Sequence, residues 1–222
     1  GVSQVSLKGL KTDVANSVLN AFESEHIKSP LKIRAVEVLQ KHPMSKTLGV
    51  SVPADYSDYL GKLRIFKDGI NSYTDGVDLQ TWEESISILT TNINKYKTYL
   101  NNPAYDQKKV TNNINVWTRR LRKIEEKIKN GEKQKFFTVT QMLDTRLDKI
   151  KTIITHEVGH HRMAEFKHKD KFIKLPGKNI TDYANQDIYE YYAEWYAYYR
   201  QFGSKDVPDD LLKLFKEIDN AN

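Results

Sequence analysis

Two histidines stand four residues apart in Thr155-His156-Glu157-Val158-Gly159-His160-His161, with a glutamate directly after the first. On a helix, positions i and i+4 share one face a turn apart, so the imidazoles of His156 and His160 can reach one metal ion. Glu157 then stands beside that ion, where its carboxylate can take a proton from bound water. The pattern is the H-E-x-x-H signature, and the chemistry it serves is metal-assisted hydrolysis. A catalytic zinc site needs three protein ligands and one open position, so a third ligand must come from elsewhere.

The chain narrows the choice. It has no cysteine, which excludes disulfides, thiolate ligands and a cysteine nucleophile, and leaves His, Asp and Glu as ligands. A third histidine six residues after His160, with a glycine midway, would mark the metzincin class. Met163 and Phe166 hold those two positions, and that class is excluded. The other common solution is a glutamate from a following helix. Asp187-Ile188-Tyr189-Glu190-Tyr191-Tyr192-Ala193-Glu194-Trp195 offers Glu190 and Glu194 at i and i+4, on one helix face. Spacing does not choose between them. One would bind the metal, and the other would accept a hydrogen bond from a ligand imidazole.

H-E-x-x-H, then Glu190-Tyr191-Tyr192-Ala193-Glu194 about 30 residues later, with Tyr183 seven residues before Glu190, resembles the anthrax lethal factor and Pro-Pro endopeptidase family of zinc metallopeptidases. The resemblance covers roughly residues 136–218. It implies a zincin-like fold in which His156, His160 and Glu190 bind Zn2+ and Glu194 supports the ligands from behind. It also implies that Glu157 is the general base of peptide-bond hydrolysis and that the Tyr183 hydroxyl steadies the oxyanion. His161 and Arg162 depart from the small apolar residue that the family often carries after its second histidine.

The elements that must position these residues are legible in part. Val14, Val18, Leu19 and Phe22 recur at helical spacing, and so do Ile33, Val36, Val38 and Leu39 after Pro30. Leu48–Val52 and Leu63–Phe66 read as short strands joined by a connection from Pro53 to Tyr59. Trp82, Ile86, Leu89, Ile93, Tyr96 and Leu100 step by four and three, as do Val110, Ile114, Trp117, Leu121, Ile124 and Ile128. With Asn101-Asn102-Pro103 between them, residues 79–131 predict an antiparallel helical hairpin, for which the family offers no counterpart. After Gly131, Phe136–Thr140 reads as a strand, a candidate sheet edge for an extended peptide. The metal helix follows from about Met142 to Phe166, then a turn at Leu175-Pro176-Gly177. A second helix spans Asp187 to Phe202 with Gly203 as its stop, and a last one opens at Pro208. The expected fold is α+β: predominantly helical, with a small sheet and the hairpin inserted in a single metallopeptidase-like domain spanning 1–222.

Composition sets the remaining limits. The chain has 222 residues, 39% hydrophobic and 29% charged, enough for one domain with a real core. No apolar run approaches the roughly 18 residues of a membrane span. A chain opening at Gly1 reads as trimmed, so its missing secretory signal is uninformative. The net charge is +6, and the hairpin shows Arg119, Arg120, Arg122, Lys123, Lys127 and Lys129, interrupted by Glu125 and Glu126. That reads as a solvated face, and no nucleic-acid partner is expected beside a protein or peptide substrate. His26, His42 and His168 read as surface histidines, and the tyrosines around Glu190 as helix packing with wet hydroxyls. Gly159 inside a helix costs about 1 kcal/mol against alanine, which suggests that something packs against it.

Leu7 to Val38 also resembles the C-terminal region of phage minor head proteins. That resemblance implies an alternative, a phage or prophage structural domain whose zinc site is vestigial or used once. A toxin-like effector whose hairpin recognises its target is a further reading. A secreted effector or virion-associated protein is expected before a housekeeping cytosolic enzyme.

Overall fold

The structure, a computed structural model, describes residues 4–43, 52–77, 81–132, 134–165 and 180–220. The chain begins with β1 (Gln4–Val5), α1 (Thr12–Lys28), β2 (Ala35–Leu39), β3 (Ala54–Ser57) and β4 (Lys62–Phe66). A single turn α2 (Lys67–Ile70) precedes the hairpin helices α3 (Trp82–Lys97) and α4 (Gln107–Lys129). The long helices α5 (Arg146–Glu165), α6 (Ile188–Phe202) and α7 (Asp209–Asp219) follow, with 3-10 turns at Val139–Met142 and Tyr183–Asn185. The protein is mostly helical with one small mixed sheet, as the α+β expectation has it. Contacts divide it into two compact units, Leu79–Lys135 and the rest of the chain.

In the larger unit the sheet runs β1-β2-β4-β3, the first three strands parallel and β3 antiparallel at the edge. Alternation decides its two faces. Val36 and Val38 stand beside Leu63 and Ile65, turned to the core. Glu37 and Lys62 pair on the other face, where Arg64 grips Asp55 through two hydrogen bonds of 2.7 and 2.6 Å. Onto the inner face pack Val14, Val18 and Phe22 of α1, and Ile150, Ile154 and Val158 of α5. Each such side chain contributes about 1.5–3 kcal/mol by leaving water. Tyr192, Trp195 and Tyr196 of α6 and Leu211 and Phe215 of α7 extend the same core.

Three expectations are corrected here. Ile33 to Leu39 is not helical; residues 35–39 form β2, because Val36 and Val38 alternate about Glu37 with period 2 while the 33/36 step mimics a helix. The Pro53-to-Tyr59 connection contains β3, whose loop closes at Gly61 with φ of 61°. Phe136–Thr140 is not a strand. The Gln141 carboxamide accepts the N–H groups of Phe137 (2.7 Å) and Thr138 (3.3 Å), and the chain coils into the 3-10 turn. Leu63–Phe66 lies in β4 as read, whereas residues 48–51 and Leu175-Pro176-Gly177 are outside the described residues.

The hairpin unit is described by itself. Thr81 and Glu84 exchange hydrogen bonds of 3.1 and 2.8 Å in a capping box that starts α3, and Asp106 caps α4. Gln107 ties the link between them, donating to the carbonyls of Asn102 (2.6 Å) and Tyr105 (3.1 Å). Ile93 and Val110 are buried in the seam, and Tyr96 meets Trp117 edge-on at 4.6 Å. Gly131, at φ 65°, lies just past the end of α4. Among the described residues, no helix is long and apolar enough to cross a membrane.

Candidate metal centre

His156, Glu157 and His160 sit mid-way along α5, which holds them because its other face is locked into the core. Arg162 fixes the same helix from its far side. It is 1% exposed and donates to the carbonyls of Glu25 (3.3 Å), Ser29 and Pro30 (3.2 Å), the last carbonyls of α1 and its exit. A guanidinium there gathers carbonyls at the helix end and its exit and complements the helix dipole. His161, the departure from the family's small apolar residue, is 3% exposed and belongs to this scaffold. Its Nε2 accepts the Lys32 backbone N–H at 3.3 Å, so Nδ1 carries the proton and donates to the Tyr56 hydroxyl at 3.0 Å. The histidine thereby fastens edge strand β3 to the metal helix.

Helix α6 starts at Asp187, whose carboxylate accepts the N–H groups of Tyr189 (2.8 Å) and Glu190 (2.9 Å). It crosses α5 at Gly159. A Cβ there would stand 3.2 Å from Cα of Ala193 and 3.3 Å from Cβ of Tyr196, so the glycine admits α6. The crossing delivers both glutamates to His156, one to each ring nitrogen. Glu190 Oε2 lies 3.1 Å from His156 Nε2 and 3.4 Å from His160 Nε2, and the two Nε2 atoms are 3.1 Å apart. Glu194 Oε1 lies 3.0 Å from His156 Nδ1. Its other oxygen accepts the Val139 N–H and the Thr181 hydroxyl, each at 2.8 Å. Tyr183 donates to Glu190 Oε1 at 3.1 Å. Residues 136–137 reappear here, since their carbonyls accept the N–H groups of Asp182 (3.0 Å) and Tyr183 (2.8 Å) and so place that tyrosine.

His156, His160 and Glu190 form a group that could hold a metal ion, with donor atoms within 4.8 Å of one another. The donors fit one. With Nδ1 directed at Glu194, the Nε2 atom of His156 faces both a carboxylate oxygen and a second imidazole nitrogen. A single proton satisfies one of these three contacts, whereas one cation satisfies all of them. Separations of 3.1–3.4 Å match the roughly 3.3 Å edge of a tetrahedron with bonds of 2.0–2.1 Å.

The ionisation of the site follows the same logic. Burial alone would raise Glu190 and lower His156, but the hydrogen bonds between them prevail. Glu190 is held well below the usual carboxylate range and His156 well above its ordinary 6.5. Glu157 is pushed up, by burial first, against the pull of His156 and His160. Burial, then the charges of Glu190 and Glu157, push Tyr183 far up, so it remains a hydroxyl donor.

A cavity of about 420 Å³ opens on this group. His156, Glu157, His160, Tyr183 and Glu190 form one wall, and Ala54, Asp55 and Tyr56 of β3 the other. The volume is in the range of small-ligand and substrate sites. All six residues named from the sequence therefore gather in one place, and spacing missed Thr181, the Val139 N–H and β3. Thr181 carried no signal beyond lying two residues before Tyr183. For β3 the signal was Gly61 after Asp58-Tyr59-Leu60, a hairpin loop before an apolar run. His42 is corrected too: half-buried, it lies 3.1 Å from Asp55 Oδ2 and edge-on to Phe66 rather than on the open surface. The Tyr192 and Tyr196 side chains are fully buried, not wet at their tips.

No family model matches the chain, and neither does any curated protein or solved structure.

The crossing at Gly159 has a measurable consequence. Alanine would favour the helix by about 1 kcal/mol, yet its methyl would press on the backbone of Ala193. Helix α6 must then move outward by tenths of an ångström, carrying Glu190 and Glu194 off His156. Gly159→Ala is expected to weaken metal binding by roughly tenfold, as changes behind a metal ligand do, in competition against a chelator. Unchanged affinity would mean that the crossing does not set the site.

Proposed function

We propose that this protein is a zinc-dependent peptidase of zincin-like architecture, cutting peptide bonds in an extended substrate. The observation that carries the reading is the convergence of His156 Nε2, His160 Nε2 and Glu190 Oε2 beside a buried Glu157 at a cavity. Two imidazoles and one carboxylate are a common ligand set of catalytic zinc, and they leave a position open. The resemblance to the lethal factor and Pro-Pro endopeptidase family supports the same assignment. Bound there, zinc would polarise the scissile carbonyl and lower the pKa of water toward 7.

The chain's own residues do the rest. Glu157, a carboxylate with raised proton affinity, accepts the proton of the attacking water and delivers it to the leaving nitrogen. Tyr183 turns its hydroxyl from Glu190 to the carbonyl oxygen as charge develops on it. Glu194 holds the His156 ring in place and fixes its tautomer. β3, rather than residues 136–140, receives the substrate. It is the sheet's edge among the described residues and forms the cavity wall, the position at which an extended peptide adds to a sheet as a further strand.

Tyr183→Phe tests the arrangement. Removing one donor to a developing oxyanion costs about 2.7–4 kcal/mol, so kcat is expected to fall about 10²–10³-fold. Metal content, read by mass spectrometry, should not change, because the tyrosine is not among the donors. A variant with full kcat would remove Tyr183 from the reaction.

A further inference from the structure

The unit Leu79–Lys135 carries twelve of the chain's 35 Lys and Arg and six of its 29 Asp and Glu. The remaining residues hold 23 of each, so the whole net charge of +6 resides in the hairpin. Within it, α4 sorts that charge. Val110, Ile114, Trp117, Leu121 and Ile124 make the seam toward α3, where Tyr96 meets Trp117. At 100° per residue, Lys108, Arg119, Arg122, Lys123 and Lys129 fall on the opposite face within an arc of about 120°, over about 30 Å. All five are exposed. Glu125 and Glu126 interrupt this run in the sequence, but the helix turns Glu125 about 100° away and leaves Glu126 as the one acid on the face. Thr111, Asn112 and Asn115 complete it, and it presents no wholly apolar side chain.

We propose that the outward face of α4 is a nucleic-acid-binding surface that grips the phosphate backbone of a duplex without reading sequence. The chemistry of the face selects this occupant. Protein interfaces are built on apolar and aromatic anchors and exclude charge from their centres, and this face has no such anchor. A helix that lies on a membrane needs an apolar side to insert, and the apolar side of α4 is turned to α3. Arg, Lys and Asn on a straight helix are the donors that phosphates take. The surface is independent of the peptidase reading, and each can fail without the other.

The test is fluorescence anisotropy of a labelled mixed-sequence DNA duplex with the full chain, titrated at several salt concentrations. The wild type is expected to bind with micromolar affinity at low salt and to weaken linearly in log–log form. Arg119→Glu/Arg122→Glu/Lys123→Glu should weaken binding at least tenfold and flatten the salt slope by about three. The milder Arg119→Gln/Arg122→Gln pair should flatten it by about two, which keeps the test decisive if the triple variant does not fold. Lys205→Glu/Lys213→Glu/Lys216→Glu, equal in charge but outside the hairpin, should bind as the wild type does. The proposal is overturned if the wild type does not bind the duplex, or if the control variant loses as much affinity. It is equally overturned if poly-glutamate or vesicles of anionic lipid bind as tightly as the duplex and respond to the same substitutions.

Discussion

Glu157→Gln is expected to reduce peptide hydrolysis by about 10²–10⁴-fold while the protein keeps its metal. The amide preserves the size and hydrogen bonding of the side chain but cannot accept the water's proton. Glu157 is also not among the donor atoms, which come from His156, His160 and Glu190. The two effects therefore separate: turnover depends on the carboxylate, metal content on the other three. Burial makes the carboxylate a stronger base than a surface glutamate, so its loss removes the better proton acceptor. Kinetics on a cleaved peptide, with metal analysis of the same sample, check both halves. Retained turnover would refute the base assignment, and lost metal would make Glu157 a ligand.

The second large effect lies on the far side of α6. Arg200 donates to Glu25 at 3.1 Å, to both oxygens of Asp219 at 2.9 and 2.5 Å, and to the Tyr196 hydroxyl at 2.8 Å. Tyr196 donates in turn to Glu25 at 2.5 Å, and the guanidinium lies 4.7 Å from the Tyr196 ring centre. This network joins α1, α6 and α7, and Glu25 within it is only 2% exposed. Arg200→Ala would remove the guanidinium from that carboxylate and leave it only the Tyr196 hydroxyl and the more distant Lys28 ammonium at 3.9 Å. Breaking a buried pair in this way costs about 3–5 kcal/mol. For a chain of this size that is a fall in Tm of roughly 10 °C. Arg200→Lys should recover only part of it, because one ammonium cannot reproduce the guanidinium fork to Asp219 and its stack on Tyr196. Thermal unfolding of both variants decides, and a shift under about 2 °C for Arg200→Ala would show the network to be peripheral.

What could be read from the sequence follows from distance along the chain. His156 and His160, like Glu190 and Glu194, are one helical turn apart, and a fixed period placed each pair on one face. The same period could not choose between Glu190 and Glu194, because both face α5. The choice depends on where α6 crosses, and that is set by Gly159 against Ala193. The sheet was harder to read. Polar Asp55 and Ser57 hide the alternation of β3, and β-branched residues at 138–140 suggested a strand where the Gln141 side chain takes the backbone donors. The supports of the site were illegible because their partners are remote: Val139 to Glu194, Lys32 to His161, Glu25 to Arg200. The interleaving of Glu125 with the basic run is likewise a property of the string, which the helix undoes.

In the proposed function, His156, His160, Glu190 and Glu157 together form a zinc peptidase site. Its most direct test is cleavage of a peptide library by the zinc-loaded wild type, followed by chelation and restoration of zinc, with Glu157→Gln as the baseline. The expected result is a defined set of cut bonds that disappears on chelation, returns with zinc and is absent from the variant. A wild type holding one zinc per chain and cutting nothing beyond the Glu157→Gln baseline would contradict it.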